Sequence, residues 1–212
     1  GFIYVLKGEN LLILDSNNNF RGYMGQTDIG FRLLDVVLRI FASDEQKRVI
    51  RKRTAANYIN MTMDEKGMVY AVSMDYETGE IKKLNSIGKN IYRQYTTLQE
   101  DMNLFSLDFL TQMQVKSRTF YFGERTYLNG KLVRPVFKDI AVDKNGIVTV
   151  ADENTGKIYQ YDQEGNHLAT FGGKGDHKGY FSIPEAIEVD EEGCIYVLDR
   201  VLGNIQVYEP TT

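Results

Sequence analysis

The chain has 212 residues, enough for one or two domains with their own core. Its 42% hydrophobic and 25% charged residues are ordinary for a globular protein, and a formal net charge of −4 lacks the basic footprint of a nucleic-acid binder. No apolar stretch approaches the ~18 residues needed to span a bilayer, and the single cysteine, Cys194, excludes an internal disulfide.

From the start, FIYVL after Gly1 alternates at period two and reads as a strand. In a blade that lacks its inner strand, it would be the second strand, NLLILD the third and, after the polar turn Asn17-Asn18-Asn19, FRGYMG the fourth. Residues 28–54 break the strand pattern. Leu34, Val37, Leu38 and Phe41 recur at helical spacing. Ser43-Asp44-Glu45-Gln46 has the form of a capping box, and Lys47, Arg48, Arg51, Lys52 and Arg53 crowd the far end of the helix it would open. Such a basic run is a patch for anionic ligands or, more simply, a solvated helix end matched to the dipole.

The next element recurs three times: apolar-x-apolar-Asp-x-x-Gly before a β-rich run. It is Met61-Thr62-Met63-Asp64-Glu65-Lys66-Gly67 before MVYAV, Ile140 to Gly146 before IVTVA, and Ile187 to Gly193 before CIYVL. Asp can bond its own backbone two residues on, and Gly accepts positive φ, so each phrase makes a tight turn between strands. Further turns, at Tyr76 to Gly79, Asp152 to Gly156 and Asp199 to Asn204, lead to third strands EIKKLN, KIYQYD and NIQVYE. HLATFG is a fourth strand, reached through Gln163-Glu164-Gly165-Asn166. Four short antiparallel strands per repeat is the unit of a β-propeller blade. Gly146 and Gly193 lie 47 residues apart, close to the ~40–45 of such a blade. Gly67 and Gly146 lie 79 apart, so residues 97–133 read as a second insertion, with Asn129-Gly130 as a hairpin turn.

The stretch from Phe171 to Pro210 resembles an NHL repeat. It carries Phe171-Gly172-Gly173-x-Gly175, Gly179-x-Phe181-x-x-Pro184-x-Ala186-Ile187, Val189-Asp190-x-x-Gly193 and Ile195-Tyr196-Val197-x-Asp199. Residues 138–173 are similar, and 1–26 and 55–96 match in strand pattern and turn placement. The expected fold is therefore all-β: an NHL-type β-propeller over residues 1–212, as a partial ring of two complete blades plus partial terminal blades. Helical residues 28–54 and residues 97–133 both fall between a fourth strand and the next inner strand. Both are expected on the face opposite the Asp-x-x-Gly turns, called here the top face. Strand bookkeeping leaves an open edge at each end. That predicts a part of a longer propeller and, in isolation, either edge-to-edge self-association or poorly protected terminal strands. The resemblance further implies an extracellular or cell-surface setting like that of NHL proteins of gut Firmicutes.

Candidate ligand-binding residues are Lys138 and Glu185, just ahead of inner strands, and Arg200 in a top-face loop. Asp152 and Asp199 end equivalent second strands, and their repetition points to capping of the turns that follow. Ser73 and Lys7 stand at the corresponding places elsewhere. His167 and His177 are the only histidines, too few for the three protein ligands of a catalytic zinc. Gly172-Gly173-Lys174-Gly175-Asp176 superficially suggests a phosphate cradle, but Gly follows the lysine and a strand comes next, so an inter-blade turn is expected. Gluconolactonase-like propellers hold a divalent cation in the channel. The inner strands here offer Asn57, Asn60, Asp139 and Glu188, read as none repeated in register. No catalytic pair is recognisable and no cofactor is expected. These readings favour a non-catalytic binding or scaffolding module for a protein, peptide or glycan, with no nucleic acid and no membrane contact. The alternative is a lactonase-like hydrolase using a channel metal.

Overall fold

The repeated Asp-x-x-Gly phrases fold as turns held by their own aspartates. The computed structural model describes residues 1–8, 10–24, 57–74, 79–86, 88–92, 122–124, 126–128 and 130–210. Asp64 Oδ1 accepts the N–H groups of Lys66 and Met68 at 2.9 and 2.8 Å, and Asp143 Oδ1 those of Asn145 and Ile147 at 2.9 and 2.7 Å. Gly67, Gly146 and Gly193 close these turns at φ of 77°, 79° and 89°, a region where only glycine is at ease. Asp15 and Asp162 hold the third-to-fourth-strand turns in the same way, each taking two N–H bonds on Oδ1.

These turns join short strands into antiparallel sheets. The first sheet is β1 (Phe2–Lys7), β2 (Asn10–Asp15) and β3 (Phe20–Met24); the second is β4 (Asn57–Met63), β5 (Val69–Met74) and β6 (Gly79–Leu84). A two-stranded hairpin, β7 (Thr126–Leu128) and β8 (Lys131–Val133), precedes the third sheet. That sheet has four strands, β9 (Phe137–Val142), β10 (Val148–Asp152), β11 (Lys157–Tyr161) and β12 (His167–Gly172). The fourth is β13 (Pro184–Val189), β14 (Ile195–Asp199) and β15 (Asn204–Tyr208). In the second sheet β6 continues into the antiparallel bridge Leu84↔Asn90.

Inner strand β4 runs beside β9, and β9 beside β13, while the remaining strands of each sheet step outward. Sheets that share an axis through their first strands and pack face to face are the blades of a β-propeller. Three apolar layers fill the spaces between them. Leu11, Met24, Val69 and Ala71 lie between the first and second sheets. Tyr70, Val72, Phe137, Val148, Val150 and Tyr159 lie between the second and third. Ala151, Ile158, Phe181, Ile187, Ile195 and Val197 lie between the third and fourth. Period-two alternation lets each central strand feed two layers at once, which is why Val69, Tyr70, Ala71 and Val72 are all at most 1% exposed.

The helical insertion expected at 28–54, with its basic end Lys47 to Arg53, lies outside the described residues. Of the second insertion, 97–121 lies outside them, and the hairpin expected at Asn129-Gly130 is β7–β8. Its described flanks meet at one point: the rings of Tyr92 and Phe122 stack at 5.5 Å, beside Tyr161 at the lower end of β11. Among the described residues no helix is long and apolar enough to cross a membrane.

Candidate functional site

Each of the three inner strands carries one extra residue where it enters its sheet. The register slips at Ile59 in β4, Lys138 in β9 and Glu185 in β13. A bulge of this kind leaves one residue unpaired and re-aims its side chain. Lys138 and Glu185, singled out in the sequence, therefore occupy equivalent places in neighbouring blades.

They belong to one polar rim. Lys138 Nζ pairs with Glu153 Oε2 at 3.2 Å, and Arg200 Nε with Glu185 Oε2 at 3.4 Å. Between these pairs Lys174 Nζ donates to the carbonyls of Glu153 and Ser182. Main-chain bonds tie the rim to strand entries: Glu153 N–H to Val136 O and Arg200 N–H to Ile183 O, both 3.0 Å. Arg200 remains 59% exposed at its side chain and Lys138 29%. Glu185 Oε2 is shielded from solvent and accepts no hydrogen bond, leaving the Arg200 guanidinium as its charged neighbour.

Beneath the rim, Asp152 and Asp199 perform the capping expected of them and more. Asp152 Oδ1 accepts from Asn154 N in the following turn at 3.0 Å, and also from Val136 N at the entry of β9 at 2.8 Å. Its Oδ2 takes the Thr155 hydroxyl at 2.5 Å. Asp199 Oδ1 accepts from Val201 and Leu202 N–H, both at 2.9 Å. Its Oδ2 accepts from Ser182 and Ile183 N–H at 2.6 and 3.1 Å. Burial pushes the Asp152 carboxyl above the ordinary range against its hydrogen bonds. Burial also opposes charge on Asp199, but the N–H groups of Leu202, Ser182, Ile183 and Val201 outweigh it and hold that carboxyl below the ordinary range.

Nearer the axis the structure corrects the reading of the inner-strand polar residues. Asn60 and Asp139 do stand in register: each follows the bulge, each lies four residues before its turn aspartate, and they pair with Val72 and Ala151 of equivalent second strands. Asn60 Nδ2 donates to Asp139 Oδ1 at 2.7 Å, and Ile187 N–H donates to Asp139 Oδ2 at 2.8 Å. One carboxylate thus joins β4, β9 and β13. Burial raises the Asp139 carboxyl against the Ile187 and Ile140 N–H bonds, with the negative charges of Glu188 and Glu185 adding to the rise. Truncating Asn60 and Asp139 to alanine singly and together should give a coupling energy of about 1–2 kcal/mol in urea unfolding. Additive losses would show that the bond carries no coupling.

This donor set does not fit a divalent cation. Asp139 Oδ1 already accepts from Asn60 and from Ile140 N–H at 2.8 Å, and Oδ2 from Ile187. Glu188 Oε1 accepts its neighbour's N–H, Val189, at 3.2 Å. Among the described residues no three His, Cys, Asp or Glu converge. The two histidines have separate partners, His167 with Thr170 Oγ1 at 2.6 Å and His177 with Asp176 at 3.0 Å. The Gly172 to Asp176 run is an inter-blade turn, as expected: Gly173 N–H bonds Gly156 O, and Phe181 N–H bonds Gly173 O, both at 2.8 Å.

Glu153 and Lys174 were missed in the sequence because a carbonyl-bridging lysine leaves no pattern there. The Asn60–Asp139 register could have been found by counting back from the turn aspartates.

The fold and its rim define a β-propeller whose polar end is built from bulged strand entries. No family model matches the chain, and no curated protein matches it. Solved structures do. A protein of unknown function from Bacteroides caccae aligns at TM-score 0.49 and 10% identity, over 99% of this chain and 57% of that one. A streptogramin B lyase aligns at 0.46 and 12%, over 100% and 52%. The β-propeller domain of Myceliophteria thermophila Cps50 (Swd1) aligns at 0.47 and 10%, over 99% and 52%. The chain spans about half the length of these structures.

Proposed function

We propose that this propeller is a non-catalytic module of NHL type that binds a protein, peptide or glycan through its top face. The observation that carries the reading is the rim. Lys138, Glu185 and Arg200 are presented by equivalent bulges and turns of neighbouring blades, with the Arg200 and Lys138 side chains partly open to solvent and one Glu185 oxygen shielded beside Arg200. Polar side chains held on rigid strand entries offer hydrogen bonds and charge without a nucleophile–base pair, which suits recognition better than turnover. The aspartates that might have served chemistry are spent on main-chain N–H groups.

The test is a screen of the purified chain on glycan and peptide arrays, followed by calorimetry on the strongest class. Changing Lys138 and Arg200 together to alanine is expected to weaken binding at least tenfold. Melting temperature should fall somewhat, because the change leaves the shielded Glu185 oxygen without its charged neighbour, so binding is compared well below the melting temperature of both proteins. Undiminished binding by the double variant would remove these residues from the site. Stoichiometric Ca²⁺ or Zn²⁺ by mass spectrometry, with turnover of a lactone panel, would favour a lactonase-like hydrolase instead.

A further inference from the structure

The blade-to-blade layers obey one rule, and the rule leaves two faces open. In second strands β5, β10 and β14, the first and third residues point to the preceding sheet. Val69 and Ala71 meet the first sheet, Val148 and Val150 the second, and Ile195 and Val197 the third. The second and fourth residues point to the following sheet: Tyr70 and Val72 meet the third, and Ala151 the fourth. Strand β1 alternates with the opposite parity: Tyr4 and Leu6, its third and fifth residues, pack toward the second sheet.

By that alternation Ile3 and Val5 present a preceding-type face on the first sheet, and Tyr196 and Leu198 a following-type face on the fourth. Both faces are apolar across their strands. Val5 lies opposite Leu12, which lies opposite Tyr23. Leu198 lies opposite Ile205, and Tyr196 opposite Val207. Where such residues meet a neighbouring sheet they are buried, as Tyr70 and Val72 are at 0%. Here Ile3, Val5 and Tyr23 are 45%, 39% and 53% exposed, and Leu198, Ile205 and Val207 are 39%, 61% and 54%.

We propose that these faces are an interface between copies of this chain, the following-type face of one fourth sheet packing on the preceding-type face of its partner's first sheet. A following-type face meets a preceding-type face at every inter-blade layer within the chain, so the contact continues an interface the fold already makes three times. It is head-to-tail, and such contacts close only if the rotation returns to its start. The described residues form four radial sheets, and two copies of these would supply about eight blades, at the upper end of the usual range.

Sedimentation velocity on the 212-residue chain across the micromolar range is expected to show twice the monomer mass. Val207→Lys on one face and Val5→Lys on the other should each give a monomer with unchanged circular dichroism. Mixing the two variants should restore a weaker dimer, because each supplies the intact face that the other lacks. Leu168→Lys, on an exposed residue of β12 remote from both faces, should leave the dimer as it is. The proposal is overturned by a wild-type monomer throughout the range. It is equally overturned by a dimer that survives in Val5→Lys alone, which would mean two fourth sheets packing on each other, or by dissociation in Leu168→Lys.

Discussion

Asp199→Asn is expected to cost about 2–3 kcal/mol of folding free energy, while Asp152→Asn leaves stability within about 1 kcal/mol. The two aspartates end equivalent strands and look interchangeable in the repeat, but their partners differ in kind. All four groups around Asp199 are main-chain N–H donors, two on each oxygen. An asparagine must turn its NH₂ toward one of those pairs, so two part-buried main-chain donors face a third. At Asp152 the Val136 and Asn154 N–H groups fall on Oδ1, with the Thr155 N–H adding to the main-chain donors around the carboxyl. Its Oδ2 meets the Thr155 hydroxyl, which can rotate and accept from an amide NH₂. The neutral amide also removes the burial penalty on the Asp152 charge.

The pH dependence should separate the pair in the same sense. The Asp199 carboxyl is held below its ordinary value of 3.8, so the unfolded chain binds the proton first as pH falls. Its contribution is present above that ordinary value and is lost as pH drops through the folded one. The Asp152 carboxyl is raised, so the native state binds the proton more tightly, and stability declines as pH rises from 3.8 through the folded value. Urea midpoints measured through the acid range to neutrality would show Asp199→Asn flattening the acid loss and Asp152→Asn removing the opposing slope. Equal losses in the two variants at neutral pH would refute the assignment of partners.

Local chemistry was legible in the sequence and long-range partnership was not. The turns at Asp64, Asp143 and Asp190 could be read because donor and acceptor sit within four residues. The forward caps of Asp152 and Asp199 could be read for the same reason. Their other oxygens or lone pairs reach back to Val136 and to Ser182 and Ile183, 16 and 17 residues upstream, and that distance is set only by how β9 and β13 enter the ring. Lys138 and Glu185 were noticed for their position ahead of inner strands, yet a bulge has no sequence signature here beyond one residue more than the pairing needs. The Asn60–Asp139 bond spans 79 residues. Only alignment of the repeats on their turn aspartates exposes it.

Among the described turns, Gly156→Ala is expected to be the most damaging single methyl that can be added, at about 3–5 kcal/mol. Gly156 has φ of 67°, and a Cβ there would stand 2.7 Å from the carbonyl carbon and oxygen of Gly173 and 2.8 Å from Phe181 O. All three are main-chain atoms. They are fixed by the Gly173–Gly156 and Phe181–Gly173 hydrogen bonds and by the fully buried Phe181 ring, so nothing can yield without opening the inter-blade turn. Gly146→Ala is the control, with a similar φ of 79° but a Cβ whose nearest contacts are all atoms of the flexible Gln163 side chain, which can turn away by giving up its bond to Asn145 O. Its cost should be the backbone term alone, about 1–2 kcal/mol. Because Gly173 leads directly into Lys174, displacing it also moves the lysine that bridges Glu153 and Ser182. Gly156→Ala should therefore also weaken any binding through the proposed rim, whereas Gly146→Ala, on the opposite face, should leave the rim as it is. Urea unfolding of both variants decides the matter: a Gly156→Ala protein no less stable than Gly146→Ala would mean that the turn between the third and fourth blades is not the rigid support that this geometry makes it.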